Sequence, residues 1–114
     1  MFKKKNRIGS EEIKQVLRQG GKMVEKGNIF VFRKNDSGGL RLVVIVSARV
    51  VKGAVKRNRI KRKIRAIFNS FLLKNKQLRG DFLVIIRNQK RAERPEMEKD
   101  VEKVLENLLN KNKE

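Results

Sequence analysis

KGAVKRNRIKRKIR, residues 52–65, holds eight Lys or Arg among fourteen residues and no Asp or Glu. A disordered basic tail would carry no apolar residues in register, yet Ile60, Ile64, Ile67, Phe68, Phe71 and Leu72 recur at three- and four-residue spacing. At about 100° per residue they form one stripe of a helix running from about residue 54 to 73. With that stripe centred between Ile60 and Ile64, Asn58, Arg62, Arg65 and Asn69 point the other way, and Arg59 and Lys61 lie on the flanks. The pattern predicts a helix with one face for a core and one guanidinium-rich face for a partner bearing many negative charges.

The start of this helix runs against helix electrostatics. The positive end of the dipole favours Asp or Glu, but the first turn carries Lys56 and Arg57. Gly53, read as the N-cap, has no side chain to occupy the open backbone N–H groups, so that end is available to a phosphate. The stretch 37–80 contains no acid, and arginine at outward positions suits two-point phosphate contacts.

The chain has 114 residues, enough for one core, and a formal net charge of +19, which marks a nucleic-acid binder. Residues 1–114 therefore read as a single RNA-binding domain, with a mobile basic arm at 1–7 and a tail at 110–114. No apolar run reaches the length of a bilayer span, and residues 1–5 lack the apolar region of a signal peptide. The expected location is the cytoplasm, with no membrane partner. Having no Cys and no His, the chain has no zinc finger, thiol nucleophile or histidine base. Of twelve carboxylates, seven lie within 93–114, and Asp36 and Asp81 stand alone at turns, so no catalytic residues or metal ligands are assigned.

Working outward, Ser10 is a fair N-cap for a short helix to about Gln19 with an apolar stripe of Ile13, Val16 and Leu17, closed by Gly20 and Gly21. Residues 29–34 alternate as a strand, Phe30 and Phe32 on one face, Ile29 and Val31 on the other. The turn NDSGG at 35–39 leads to LRLVVIVSA at 40–48, which predicts a hairpin, and the unbroken apolar middle of the second run predicts burial on both its faces. DFLVIIR at 81–87 reads as a further strand, and NQKRAER at 88–94 as a loop. Pro95 opens a last helix with Glu96, Glu98 and Asp100 near its start and Met97, Val101, Val104, Leu105 and Leu108 as its buried stripe. The class is α+β, a small sheet packed against helices. The run 40–48, the basic helix and the run 81–87 form a β-α-β unit, for which the general crossover rule predicts a right-handed turn.

Arg57-Asn58-Arg59-Ile60-Lys61-Arg62, followed by Arg65 and Phe68, resembles the signature of the protein component of bacterial ribonuclease P. The resemblance extends to Arg7-Ile8, to 16–20 as the family's first helix, to 41–47 as its central strand and to 81–86 as its last strand. It implies the order α-β-β-β-α-β-α, with a short extra strand near Met23 and Val24, and a left-handed β-α-β crossover contrary to the general rule. It also implies a subunit that binds a catalytic RNA and precursor tRNA, so that the complex removes the 5′ leader with magnesium held by the RNA; no obligate protein partner is expected. Carried over residue by residue, the RNA-facing set is Lys56, Arg57, Asn58, Arg59, Lys61, Arg62 and Arg65. The cleft between the first helix and the sheet, which takes the leader, carries over to Ile13, Leu17, Phe30 and Phe32.

The chain departs from the family at several of these places. Ile13 and Leu17 stand where relatives often have Phe, Val43 where a glycine is common, and Ala48-Arg49 where a basic pair follows the serine. A narrower, less charged cleft is expected, with less base stacking. Composition alone fits a small basic ribosomal protein, or another RNA-binding module without a nuclease partner, equally well; only the RNR signature separates them. An RRM would need a second aromatic strand, a helix-turn-helix needs two short helices joined by a glycine turn, and a protein nuclease needs clustered carboxylates or a His.

Overall fold

The structure, a computed structural model, describes residues 10–34, 39–74 and 79–112. The arm expected at 1–7, the resemblance at Arg7-Ile8 and most of the turn expected at 35–39 lie outside the described residues. The elements are α1 (Ser10–Gln19), β1 (Gly21–Glu25), β2 (Asn28–Arg33), β3 (Leu40–Ile45), α2 (Ala54–Lys74), β4 (Gly80–Ile85), α3 (Gln89–Ala92) and α4 (Met97–Asn112). The extra strand implied near Met23 and Val24 is β1. It joins β2 through Lys26 and Gly27, whose φ values of 50° and 85° both lie in the left-handed region that a two-residue hairpin of this twist requires.

The sheet order is β1-β2-β4-β3, with β2 and β4 antiparallel and β3 and β4 parallel. The hairpin expected between β2 and β3 does not form, because β4 lies between them. The reason is burial. Residues 80–84 of β4 are buried whichever way they point, whereas β3 alternates buried with half-buried, so the doubly covered strand is β4 and not the run at 40–48. A strand apolar on both faces is stable only in the middle of a covered sheet. The stretch expected as a loop at 88–94 contains α3, capped by Asn88, whose side chain accepts from the Arg91 N–H at 3.2 Å. The tail expected at 110–114 begins inside α4, which continues to Asn112.

Period-two alternation divides the sheet between two cores. Phe30, Leu42, Phe82 and Val84 face α2 and α4, meeting Ile60, Ile64 and Phe68 of α2 and Met97, Val101, Val104 and Leu105 of α4. Phe82 stands at the centre, with ring centroids 4.7 Å from Phe32 and 5.4 Å from Phe68. On the opposite face a smaller cluster of Val16, Val31 and Leu83, with Ile13, Ile29 and Val43 packed around it, carries α1.

Two buried polar groups hold the C-terminal elements, one to the sheet and one to each other. Asn28 accepts from the Arg87 and Asn88 N–H groups at 2.9 and 2.8 Å. Asp100 accepts from Arg91 Nε and Nη2 at 2.7 and 2.8 Å, which holds its carboxyl below the usual carboxylate range.

Candidate nucleic-acid interface

The first surface is the outer side of α2. Its buried residues, Ile60, Ile64, Ile67, Phe68 and Phe71, are the stripe expected from the spacing, and its first turn contains no acid. Turning that stripe inward leaves Lys56, Asn58, Arg59 and Arg62 exposed. Arg57, Lys61 and Arg65 are half-buried, so Arg65 does not stand out from the helix as the spacing predicts. Arg57 donates through Nη1 to the Val51 carbonyl at 3.0 Å, which fixes its stem against the loop before the helix. Gly53 has φ 94°, a backbone conformation that glycine adopts without strain, and its carbonyl receives the Arg57 N–H at 3.2 Å.

One cation of the basic run is turned away from this surface. Lys63 donates to the Ala92 carbonyl at 3.1 Å and also to the Arg94 carbonyl, closing the C-terminal end of α3. Burial lowers its pKa, and the nearby Glu96, Glu93 and Glu98 partly oppose that shift. Lys56, Arg59 and Lys63 border a cavity of about 140 Å³ against Ala92 and Glu93.

The second surface is the α1 side of the sheet. Its residues form three rows across β2, β4 and β3: Arg33–Asp81–Arg41, Val31–Leu83–Val43 and Ile29–Ile85–Ile45. Val31 and Leu83 are buried beneath Val16 of α1, while Ile29, Val43, Ile45 and Ile85 remain half-buried. Val43 is packed against this cluster.

The four residues expected to line the cleft do not come together. Ile13 packs on the α1 side, and Leu17, 48% exposed, belongs to the same helix. Phe30 is buried in the opposite core, and Phe32 packs there against Phe82 with the rings tilted by 46°. Together with Gly21, Lys22, Met23, Val104 and Leu108 these two rings border a separate cavity of about 250 Å³. Alternation separates Phe30 and Phe32 from Ile29 and Val31 correctly, but only the packing of α1 shows that the second pair faces that helix. The face toward α1 presents Ile29, Val31, Val43, Ile45, Leu83 and Ile85, none of which the sequence assigns to a site. The alternation of β2 contained part of that signal, and the pairing with β4 supplies the rest.

A small sheet with an exposed basic helix on one side and a short helix over half-buried apolar residues on the other defines the class: an α+β protein built around an electropositive helix. The chain matches the family model described as Ribonuclease P over residues 2–109. It is 32% identical over 79 residues to the ribonuclease P protein component of Borrelia duttonii, covering 69% of this chain and 68% of the relative. A Staphylococcus aureus RNase P protein mutant described as defective in mRNA degradation superposes with a TM-score of 0.76 at 26% identity, covering 90% of this chain and 87% of that one. The RNase P protein of Thermotoga maritima gives a TM-score of 0.61 at 29% identity, covering 91% and 92%. The chain belongs to the ribonuclease P protein family, and as such its partner is an RNA.

Proposed function

We propose that this chain is the protein subunit of a ribonuclease P holoenzyme, binding the catalytic RNA and the 5′ leader of precursor tRNA while the RNA cleaves off the leader. The observation that carries this reading is the acid-free outer face of α2, where Lys56, Arg59 and Arg62 are exposed along one rigid element. Spaced guanidinium and ammonium groups neutralise successive backbone phosphates, and the resulting affinity is electrostatic and not base-specific. The single-stranded leader is assigned to the cleft between α1 and the sheet, with Ile13 and Leu17 on its wall and Ile29, Ile45 and Ile85 on its floor. Phe30 and Phe32 leave this assignment because they face the other core. An aliphatic cleft holds bases by apolar contact more than by ring stacking, which suits a segment of variable sequence.

The reaction in this reading is magnesium-dependent phosphodiester hydrolysis, with the metal held by the RNA. Two of the protein's carboxylates, Asp81 and Asp100, are each engaged by arginine, which favours a structural role for them over metal binding. The protein's part is to bind and orient. The test is cleavage of precursor tRNA by the catalytic RNA at low magnesium, with and without this chain, beside the chain alone. The expected result is stimulation by the protein and no cleavage by the protein alone; cleavage by RNA-free protein would overturn the reading.

A further inference from the structure

α1 has little apolar surface with which to hold its place. It is ten residues long, too short to be stable alone; among its described residues Val16 alone is fully buried in the small core, Ile13 packs partly beside it, and Leu17 is about half exposed. What fixes it is a row of charges. The Asp81 carboxylate, 0% exposed, accepts from Arg33 Nη2 at 2.6 Å on one side and from Arg41 Nε and Nη2 at 2.7 and 2.9 Å on the other. Both arginines also reach up to the helix. Arg41 Nη2 meets Glu12 at 2.6 Å, and Arg33 Nη1 reaches Gln15 and Gln19 at 3.4 and 3.3 Å.

Residues 12, 15 and 19 lie on one side of α1, so the helix is gripped at three points along about two turns by two guanidiniums that share one buried carboxylate. The Arg41 half is the better made, since Arg33 Nε is buried without a partner. At the end of the helix Gly20 brings the backbone onto β2 so closely that a Cβ there would stand 2.7 Å from Val31 Cγ1 and 2.9 Å from the Phe32 carbonyl oxygen. The clamp acts on the charged row, while the Ile29–Ile85–Ile45 row at the far side of the sheet stays half-buried.

From this geometry we infer that the Arg33–Asp81–Arg41 row is a clamp that sets the position of α1 over the sheet and so the width of the cleft, making Asp81 and Arg41 positioning residues for leader recognition. The leader half of this inference rests on the proposed function; the clamp itself does not. Asp81 is the wrong residue to test first, because its removal leaves two partly buried guanidiniums beside the core. The grip can instead be released from the helix side, at Glu12→Gln and at the pair Gln15→Ala, Gln19→Ala. Arg41→Lys keeps the charge and loses the paired geometry.

Two measurements separate the claims. Amide hydrogen exchange on the full chain should show residues 14–19 opening faster in Glu12→Gln combined with the Gln pair, while α2 and β4 keep their protection. Unchanged α1 exchange would overturn the clamp. In the assembled complex with catalytic RNA, the preference for precursor over mature tRNA should fall by about threefold, the scale of one lost partly exposed ion pair, with mature tRNA affinity unchanged. Arg41→Lys should lose the same preference, whereas a salt bridge that needed only a positive charge would be rescued by it. A loosened α1 with an unaltered preference would overturn the role in leader recognition. An unmodified complex that shows no preference for precursor would instead refute the leader cleft itself, leaving the exchange result to decide the clamp.

Discussion

Lys63 and Arg62 are adjacent in the sequence and opposite in what they meet. Arg62 is exposed, while the Lys63 ammonium is held by two carbonyls at the end of α3. Counting charges treats the two alike; only the neighbouring helix distinguishes them. Lys63→Met, which keeps the apolar stem, should therefore leave the salt dependence of RNA binding unchanged and lower the thermal midpoint through the loss of the α3 contacts, as checked by filter binding and calorimetry. Asp100 gives a pH prediction. Its hydrogen bonds from Arg91 lower its pKa below the ordinary 3.8, so the folded state binds this proton less readily than the unfolded chain does. The stability it contributes is complete above that ordinary value and disappears as pH falls through the lowered one. Asp100→Asn should remove that part of the acid sensitivity, and acid titrations of the two proteins followed by circular dichroism should converge at low pH.

At the scale of elements, α2 combines two patterns on one helix, and its bounds and buried stripe were legible from spacing because both are local properties of the chain. Its outer face makes a quantitative prediction. Arg59→Ala with Arg62→Ala should leave the fold intact, since both side chains are exposed, and should flatten the slope of log affinity against log salt by about two units, roughly one per lost phosphate contact. An unchanged slope would mean that the RNA lies elsewhere. β2 makes the contrasting case. Phe32 rests on Phe82 in the main core, so Phe32→Ala should destabilise the fold by about 3 kcal/mol, at the low end for phenylalanine truncation because the ring is half-buried. It should weaken precursor and mature tRNA binding equally, in proportion to the unfolded fraction; a loss confined to precursor would return Phe32 to the leader site. α3 escaped the pattern because a helix of four residues, two of them basic, has no period to show, and Asn88 at its N-cap was the available signal.

For the whole molecule, α2 packs on one face of the sheet and α1 on the other, and the strands between them serve both cores: β2 carries Phe30 into one and Val31 into the other, and β4 carries Phe82 and Val84 into one and Leu83 into the other. In the proposed function these two faces are the places for two different RNA segments. By itself the sequence determined a helix of about 54–73 with its core stripe and cationic face, strands at 29–34 and 81–87, each within a residue or two of the observed element, and the last helix, because each depends on periodicity within a few turns or residues. It also determined that Phe30 and Phe32 share a face. Only the tertiary structure decided which face α1 would cover, that β4 would separate β2 from β3, and that Lys63 would turn inward. Those outcomes follow from which strand is apolar on both sides and from where Arg33 and Arg41 find a shared carboxylate, and both are set by contacts between residues distant along the chain.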